Sequence, residues 1–226
     1  MEKLTKIPNS EKRKPKNPIK FKIELNEEQK IAKSLIYDNP VVLIKGQAGS
    51  GKTLVACQVA MDMFFKREIE KIIITRPTVA KEDIGFLPGD LKEKMDPWLA
   101  PIYSNLHLLY DREKVDKMLA ENQIEIVPFA FMRGRTFPNS FVVVDECQNI
   151  THSQTEMMLG RLGKGGKMVF CGDITQSDLK NKKESGISFF ARLEENVKGV
   201  RVISLKTNHR HEIVEPILRV YGDFRD

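Results

Sequence analysis

The sequence predicts an α/β fold, built as a single domain around a mostly parallel sheet with helices on both faces. Six short apolar runs have the length and composition of buried strands. Stretches with helical spacing separate most of them, which is typical of βαβ units and a parallel sheet. The chain has 226 residues, enough for one such domain but not for two. The predicted strands are 41–44, 71–75, 123–127, 141–145, 168–171 and 200–205.

A glycine-rich loop joins the first predicted strand to a predicted helix at 53–65. Its sequence, GQAGSGKT, fills every position of the phosphate-binding loop (P-loop) pattern. Backbone N–H groups of such a loop surround phosphate oxygens, and the helix N-terminus adds partial positive charge. We therefore expect a nucleoside triphosphate to bind here. The loop residues are Gly46, Gln47, Ala48, Gly49, Ser50, Gly51, Lys52 and Thr53.

Four polar side chains are expected to act on the triphosphate. Lys52 would contact the β- and γ-phosphates, and the Thr53 hydroxyl would bind Mg²⁺. The strand at 141–145 delivers two carboxylates at its C-terminal end. Asp145 would hold the Mg²⁺ shell through water, and Glu146 would orient the attacking water. Two adjacent carboxylates favour hydrolysis over a simple binding switch.

Residues that follow later strands are candidates for sensing the nucleotide. Gln176 could contact the γ-phosphate or the attacking water, although a Gly-Asp turn after a strand is also ordinary structure. Arg210 lies just past the last strand, where it could neutralise charge on the γ-phosphate or be a surface arginine. Arg133 and Arg135 are competing candidates for such an arginine or for contacts to RNA phosphates.

Charge is concentrated at the N-terminus. The chain carries a net charge of +6, and residues 1–20 hold seven basic and two acidic residues, a net +5. This arm has no apolar periodicity, so we expect it to be disordered and to precede a folded domain at 21–226. It could be a solvated tail or a segment that binds phosphates, and the sequence leaves both open.

Nothing in the sequence suggests export or a membrane partner. No apolar run reaches the length of a transmembrane helix, and the N-terminus lacks the apolar stretch of a secretory signal. The three cysteines have no metal-binding spacing, which fits reduced, buried thiols. We therefore predict a cytoplasmic protein.

The ordered motifs resemble those of superfamily 1 helicases, with 25–29 similar to their adenine-recognising glutamine motif. The segments 172–176 and 205–210 resemble their third and fourth motifs. A closer resemblance is to the PhoH family of phosphate-starvation-associated ATPases, and it runs from about residue 25 to the C-terminus. Arg76-Pro77 and four longer segments carry it, namely GFLPGDLKEKMDPWLAPIY (85–103), MRGRTF (132–137), DECQN (145–149) and GDITQSDL (172–179).

The resemblance implies a RecA-like P-loop NTPase domain that uses ATP and Mg²⁺. It also implies an ATP-dependent activity on RNA and assembly into a homo-oligomeric ring, with a hexamer as the expected form. By position, Gln29 would contact adenine and Glu146 would be the catalytic base. Cys147 stands where the family usually has alanine, a change between small residues that should leave hydrolysis intact.

Two functions remain open. The first is an ATP-driven motor or helicase on RNA or single-stranded DNA; the second is an ATP-switched interaction protein without translocation. A small-molecule kinase is disfavoured, because it should lack the paired carboxylates. Superfamily 1 helicases close the ATP site between two RecA-like domains, so here a neighbouring subunit would supply the second wall. Aromatic residues that could stack on bases, or simply pack, are Trp98, Phe129, Phe131 and Phe137.

Overall fold

The computed structural model describes residues 19–77 and 91–223, which form one domain of alternating strands and helices. The strands are β1 (Val41–Gly46), β2 (Lys71–Arg76), β3 (Ile124–Pro128), β4 (Ser140–Val144), β5 (Lys167–Gly172) and β6 (Val200–Leu205). The helices are α1 (Glu27–Asp38), α2 (Lys52–Phe65), α3 (Leu91–Leu109), α4 (Arg112–Ala120), α5 (His152–Leu159), α6 (Phe190–Asn196) and α7 (Val214–Asp223).

The six strands form one sheet in the order β3-β2-β4-β5-β1-β6, and every pairing is parallel. The predicted α/β class and all six predicted strands are confirmed, with boundaries that differ by no more than two residues. Strand β4 ends at Val144, so Asp145 lies just beyond the strand rather than inside it. Because the strands run in one direction, their C-terminal ends share one edge of the sheet, here called the carboxyl edge.

The four central strands are buried on both faces, which explains why they consist mainly of continuous apolar runs. In β4, Phe141 and Val143 face one core, and Val142 and Val144 face the other. The first core contains residues of α1, α2, α3 and α4, and the second contains residues of α5 and α6. The predicted placement of helices on both faces is therefore confirmed.

Helix α1 begins as the sequence predicts, with Asn26 as its N-cap. The Asn26 side chain accepts from the backbone N–H of Gln29, and the Gln29 side chain accepts from the backbone N–H of Asn26. This reciprocal capping box satisfies two N–H groups that a helix start leaves unpaired. It also fixes the amide oxygens of both side chains, which matters for the site described below.

Helices α3 and α4 belong to the long insertion between β2 and β3. Ile102 and Leu106 of α3 are fully buried against α2 and the first core. The conspicuous GFLPGD part of the insertion, the N-terminal arm up to residue 18 and the Trp98 side chain lie outside the described residues.

The three cysteines are free and buried, as the sequence predicts. Burial raises the pKa of each thiol, so they behave as small apolar residues. Within 19–77 and 91–223, no helix combines the length and the apolar character needed to cross a membrane.

Candidate functional site

The glycine-rich loop lies at the carboxyl edge, between β1 and α2. Gly49 and Gly51 have φ values of 88° and 81°, in the left-handed region that favours glycine. A Cβ on Gly51 would lie 2.6 Å from Nε2 of Gln29, so neighbouring side chains also exclude a larger residue. Gly51 caps α2 without a side-chain hydrogen bond, which leaves N–H groups of the first turn available to an anion.

The Lys52 ammonium group lies at this loop. Its Nζ donates to the carbonyl oxygens of Gly46 and Gln47, at 2.6 and 3.0 Å. Lys52 also lines the cleft that contains Thr53, Asp145 and Glu146. The cation is therefore held beside the helix N-terminus, where a phosphate would meet both positive charges.

Thr53 and Asp145 are in direct contact, although 92 positions separate them in sequence. The Thr53 hydroxyl donates to Oδ1 of Asp145 at 2.6 Å. The backbone N–H of Asp145 donates to the carbonyl of Thr75 at the end of β2, at 2.8 Å. Burial raises the pKa of the Asp145 carboxyl, and the nearby Glu146 charge adds to this, while the Thr53 hydrogen bond opposes it.

These two oxygens fit Mg²⁺, which prefers hard oxygen ligands and keeps waters and substrate phosphates in its shell. Among the residues that the structure describes, no group of three or more His, Cys, Asp or Glu could hold a metal by itself. A cation between Thr53 and Asp145 would therefore need further oxygens from a bound phosphate or from water.

Glu146 adopts a backbone conformation that is rare for glutamate. Its φ and ψ are 49° and 39°, in the left-handed region, which costs of order 1–3 kcal/mol. Its Oε2 accepts from Nε2 of Gln148 at 2.6 Å, and its Oε1 lies 3.7 Å from Nη2 of Arg76. The carboxylate is thus held between an amide and a cation. Sequence reasoning assigned no role to Gln148 or Arg76, although both lie in motifs that carry the family resemblance.

Gln148 also connects Glu146 to the segment after β5. The side chain is buried, and its Oε1 accepts from the backbone N–H of Asp173 at 3.0 Å. The Ser177 hydroxyl donates to the Gln148 carbonyl at 3.1 Å. Asn149 and Asp178 add a reciprocal pair of hydrogen bonds, at 3.1 and 2.8 Å. Residues 145–149 and 173–178 therefore form one hydrogen-bonded unit.

Gln176 belongs to this unit but does not line the cleft. Its Nε2 donates to the Asp173 carboxylate, which also accepts from the backbone N–H and hydroxyl of Thr175. The Gln176 residue is exposed. In this conformation the structure does not bring Gln176 to Glu146.

Gln29 contacts the glycine-rich loop. It is buried, and its Nε2 lies 3.2 Å from both the Ser50 carbonyl oxygen and Nε2 of His209. The Asn26 amide nitrogen lies 3.3 Å from the same His209 atom. Because the capping box occupies both amide oxygens, the two amide nitrogens face Nε2 of the imidazole, which is the acceptor in both contacts. The backbone N–H of His209 donates to the Gly49 carbonyl at 3.0 Å.

The segment after β6 is held by α1 and lies over the loop. The Glu28 carboxylate accepts from the backbone N–H of Lys206 at 2.6 Å and from the Thr207 hydroxyl at 3.0 Å. The Lys206 bond is the main reason that the pKa of Glu28 is lowered. A Cβ on Gly49 would lie 2.8 Å from Cγ of Arg210, so this arginine lies at the loop. Sequence reasoning missed Glu28 and His209, which become visible only once α1 and this segment are in contact.

Neither Arg133 nor Arg135 lines this cleft. Arg135 forms a two-pronged pair with Glu125, at 2.9 and 2.8 Å, which lowers the pKa of Glu125. Arg133 is exposed and has no hydrogen bond or ion pair with the described residues. Both follow β3, which is two strand positions from β4 and four from β1, or about 10 and 19 Å at the usual spacing of strands.

A family model described as PhoH-like protein matches residues 22–222, nearly all of the folded part. The chain belongs to the PhoH family. A PhoH-like protein of Synechocystis is 42% identical over 189 residues, which are 82% of this chain and 58% of that protein. A PhoH-like protein of Bacillus subtilis is 41% identical over 186 residues, covering 81% and 58%. This PhoH chain thus spans little more than half the length of these relatives.

The fold of this PhoH chain is also found in a viral terminase. The large terminase of a thermophilic bacteriophage superposes with a TM-score of 0.55 at 13% identity, covering 87% of this chain and 50% of that chain. At this identity the likeness concerns the fold alone. The RecA-like P-loop fold implied by the sequence is therefore confirmed.

The contact between Glu28 and the segment after β6 can be tested by hydrogen exchange. Replacing Glu28 by alanine removes the acceptor of the Lys206 amide, so its exchange should accelerate by about tenfold. Glu27→Ala is the matched control, because the Glu27 side chain is 85% exposed and pairs with Lys30. Equal exchange at Lys206 in both variants would contradict the contact.

Proposed function

We propose that this chain binds ATP with Mg²⁺ and hydrolyses it in the cleft formed by residues 46–53, Asp145 and Glu146. The observation that carries the proposal is the Thr53–Asp145 hydrogen bond, because it brings two metal-binding oxygens beside Lys52 and Glu146. The proposed domain comprises residues 21–226.

Each side chain has a defined part in the proposed reaction. Backbone N–H groups of the loop and Lys52 bind the β- and γ-phosphates, while Thr53 and Asp145 hold the metal, which neutralises phosphate charge. Glu146 orients the attacking water and accepts its proton. Gln148 and Arg76 keep the Glu146 carboxylate in place, so the base does not have to be ordered during the reaction.

We further propose that hydrolysis drives movement on RNA or single-stranded DNA. Phe129 and Phe137 are buried, whereas Phe131 is 52% exposed and lies two residues from the exposed Arg133. An aromatic ring next to a cation suits a base and its phosphate. Phe131 and Arg133 lie at the carboxyl edge. Along the same edge, Gln148 links the Glu146 carboxylate to segment 173–178.

A homo-oligomeric ring, with six subunits as the expected number, would complete the site. Arg210 lies over the loop from within the subunit, and a neighbouring subunit would supply the second wall of the cleft. Arg133 is available to reach a neighbouring cleft, since Arg135 is paired with Glu125. If the exposed face at Arg133 serves only this contact, the protein is an ATP-switched assembly without translocation, which is the second candidate function.

Replacing Glu146 by glutamine should separate binding from hydrolysis. The variant lacks the base, so steady-state ATP hydrolysis should fall by about 10²-fold or more while ATP affinity is retained. Glu195→Gln, at an exposed site on α6, is the matched control and should match the native rate. Lys52→Ala should instead lose tight ATP binding. Native ATP affinity in Lys52→Ala, or native turnover in Glu146→Gln, would contradict the assignment.

Replacing Arg133 by alanine distinguishes the two candidate functions. For a motor, RNA or single-stranded DNA should stimulate hydrolysis, and the variant should lose this stimulation. The logarithm of its nucleic-acid affinity should also fall less steeply with the logarithm of salt concentration, by about one unit of slope. For a switched ring, nucleic acid should have no effect, and the concentration-dependent rate should fall by roughly 10³-fold. Arg201→Ala is the control, because Arg201 lies near the N-terminal end of β6, away from the carboxyl edge. If Arg133→Ala behaves like Arg201→Ala in both assays, Arg133 has neither of the two proposed roles.

A further inference from the structure

The cleft extends beyond the loop, into a part that no phosphate contact explains. It measures about 540 Å³, and its lining includes Ile23, Leu54 of α2 and Asn105 of α3. The Gln58 amide donates to the Ile23 carbonyl at 3.0 Å, which fixes this segment against α2. The backbone N–H of Lys22 donates to the Leu109 carbonyl at 3.0 Å, which fixes it to the end of α3. Three elements therefore hold this part of the cleft in place.

The resemblance to the glutamine motif assigns the adenine contact to Gln29, but the amide group of Gln29 is hydrogen-bonded within the protein. The Oε1 atom of Gln29 accepts from Asn26, and its Nε2 protons are directed to the Ser50 carbonyl and to His209. A carboxamide has only two N–H donors, so none remains for the N7 acceptor of a purine. Binding adenine through Gln29 would break a contact that holds the loop.

Asn105 lines the same cleft as Gln29, but its carboxamide is free. It is half-buried, and its side chain makes no hydrogen bond with the described residues. A free carboxamide pairs with adenine through two bonds, one to N7 and one from the N6 amino group. Guanine carries an acceptor, O6, in place of that amino group, so it would leave the carboxamide oxygen unpaired. Ile23 and Leu54 supply apolar surface for the faces of the ring.

We propose that Asn105, with Ile23 and Leu54, forms the nucleobase subsite and selects adenine over guanine. This inference rests on the proposed function, because it places the base of the same nucleotide whose phosphates bind the loop. Leu54 follows Thr53 directly, so the subsite adjoins the end of the phosphate cradle. Gln29 then stabilises the phosphate-binding loop and does not contact the nucleobase. The α3 insertion thereby contributes a specificity-determining residue.

The test measures binding of ATP, GTP and inorganic tripolyphosphate, each with Mg²⁺, to the native chain and to variants. Asn105→Ala should weaken ATP binding roughly tenfold or more, reduce the preference for ATP over GTP, and leave tripolyphosphate affinity unchanged. Ser104→Ala, at the exposed neighbouring position, is the control for α3. Gln29→Ala should weaken ATP and tripolyphosphate alike, because it loosens the loop.

Two results would overturn the inference. One is an unchanged ratio of ATP to GTP affinity in Asn105→Ala. The other is a selective loss of ATP binding in Gln29→Ala while tripolyphosphate still binds. If the native chain binds neither ATP nor tripolyphosphate, the proposed function itself fails. Thermal unfolding of each variant checks that the fold is retained.

Discussion

The hydrogen bond between Thr53 and Asp145 is the contact on which the rest of the site depends. Strands β1 and β4 are separated only by β5, so the loop after β1 and the carboxylates after β4 meet above the same edge. The 2.6 Å bond joins the first turn of α2 to the end of β4. On either side of this bond, Lys52 and Glu146 face one cleft.

The sequence was a good guide where local backbone chemistry dictates position. Glycines at 49 and 51 are required by their positive φ values, and the end of the apolar run in β4 places Asp145 and Glu146 at the carboxyl edge. It was a poorer guide where a side chain finds a partner far along the chain. Arg135 is held by Glu125, and the amide of Gln29 is occupied by Ser50 and His209. Such partners depend on tertiary packing, which motif spacing does not specify.

Two sets of hydrogen bonds connect the cleft to the rest of the molecule. One runs from α1 through Glu28 and His209 to the loop, and it holds the segment that carries Arg210. The other runs from Glu146 through Gln148 to residues 173–178. Both touch the region where the γ-phosphate is proposed to lie. Loss of that phosphate would therefore change contacts at two places on the carboxyl edge, which is what either a motor or a switch requires.

The most direct test is a crystal structure with Mg²⁺ and a non-hydrolysable ATP analogue. The account predicts the triphosphate in the loop at 46–53, with the Thr53 hydroxyl about 2.1 Å from the metal and still donating to Asp145. It also predicts a water between Glu146 and the γ-phosphate. A triphosphate bound elsewhere, or a metal held by Glu146 without Thr53, would contradict the account.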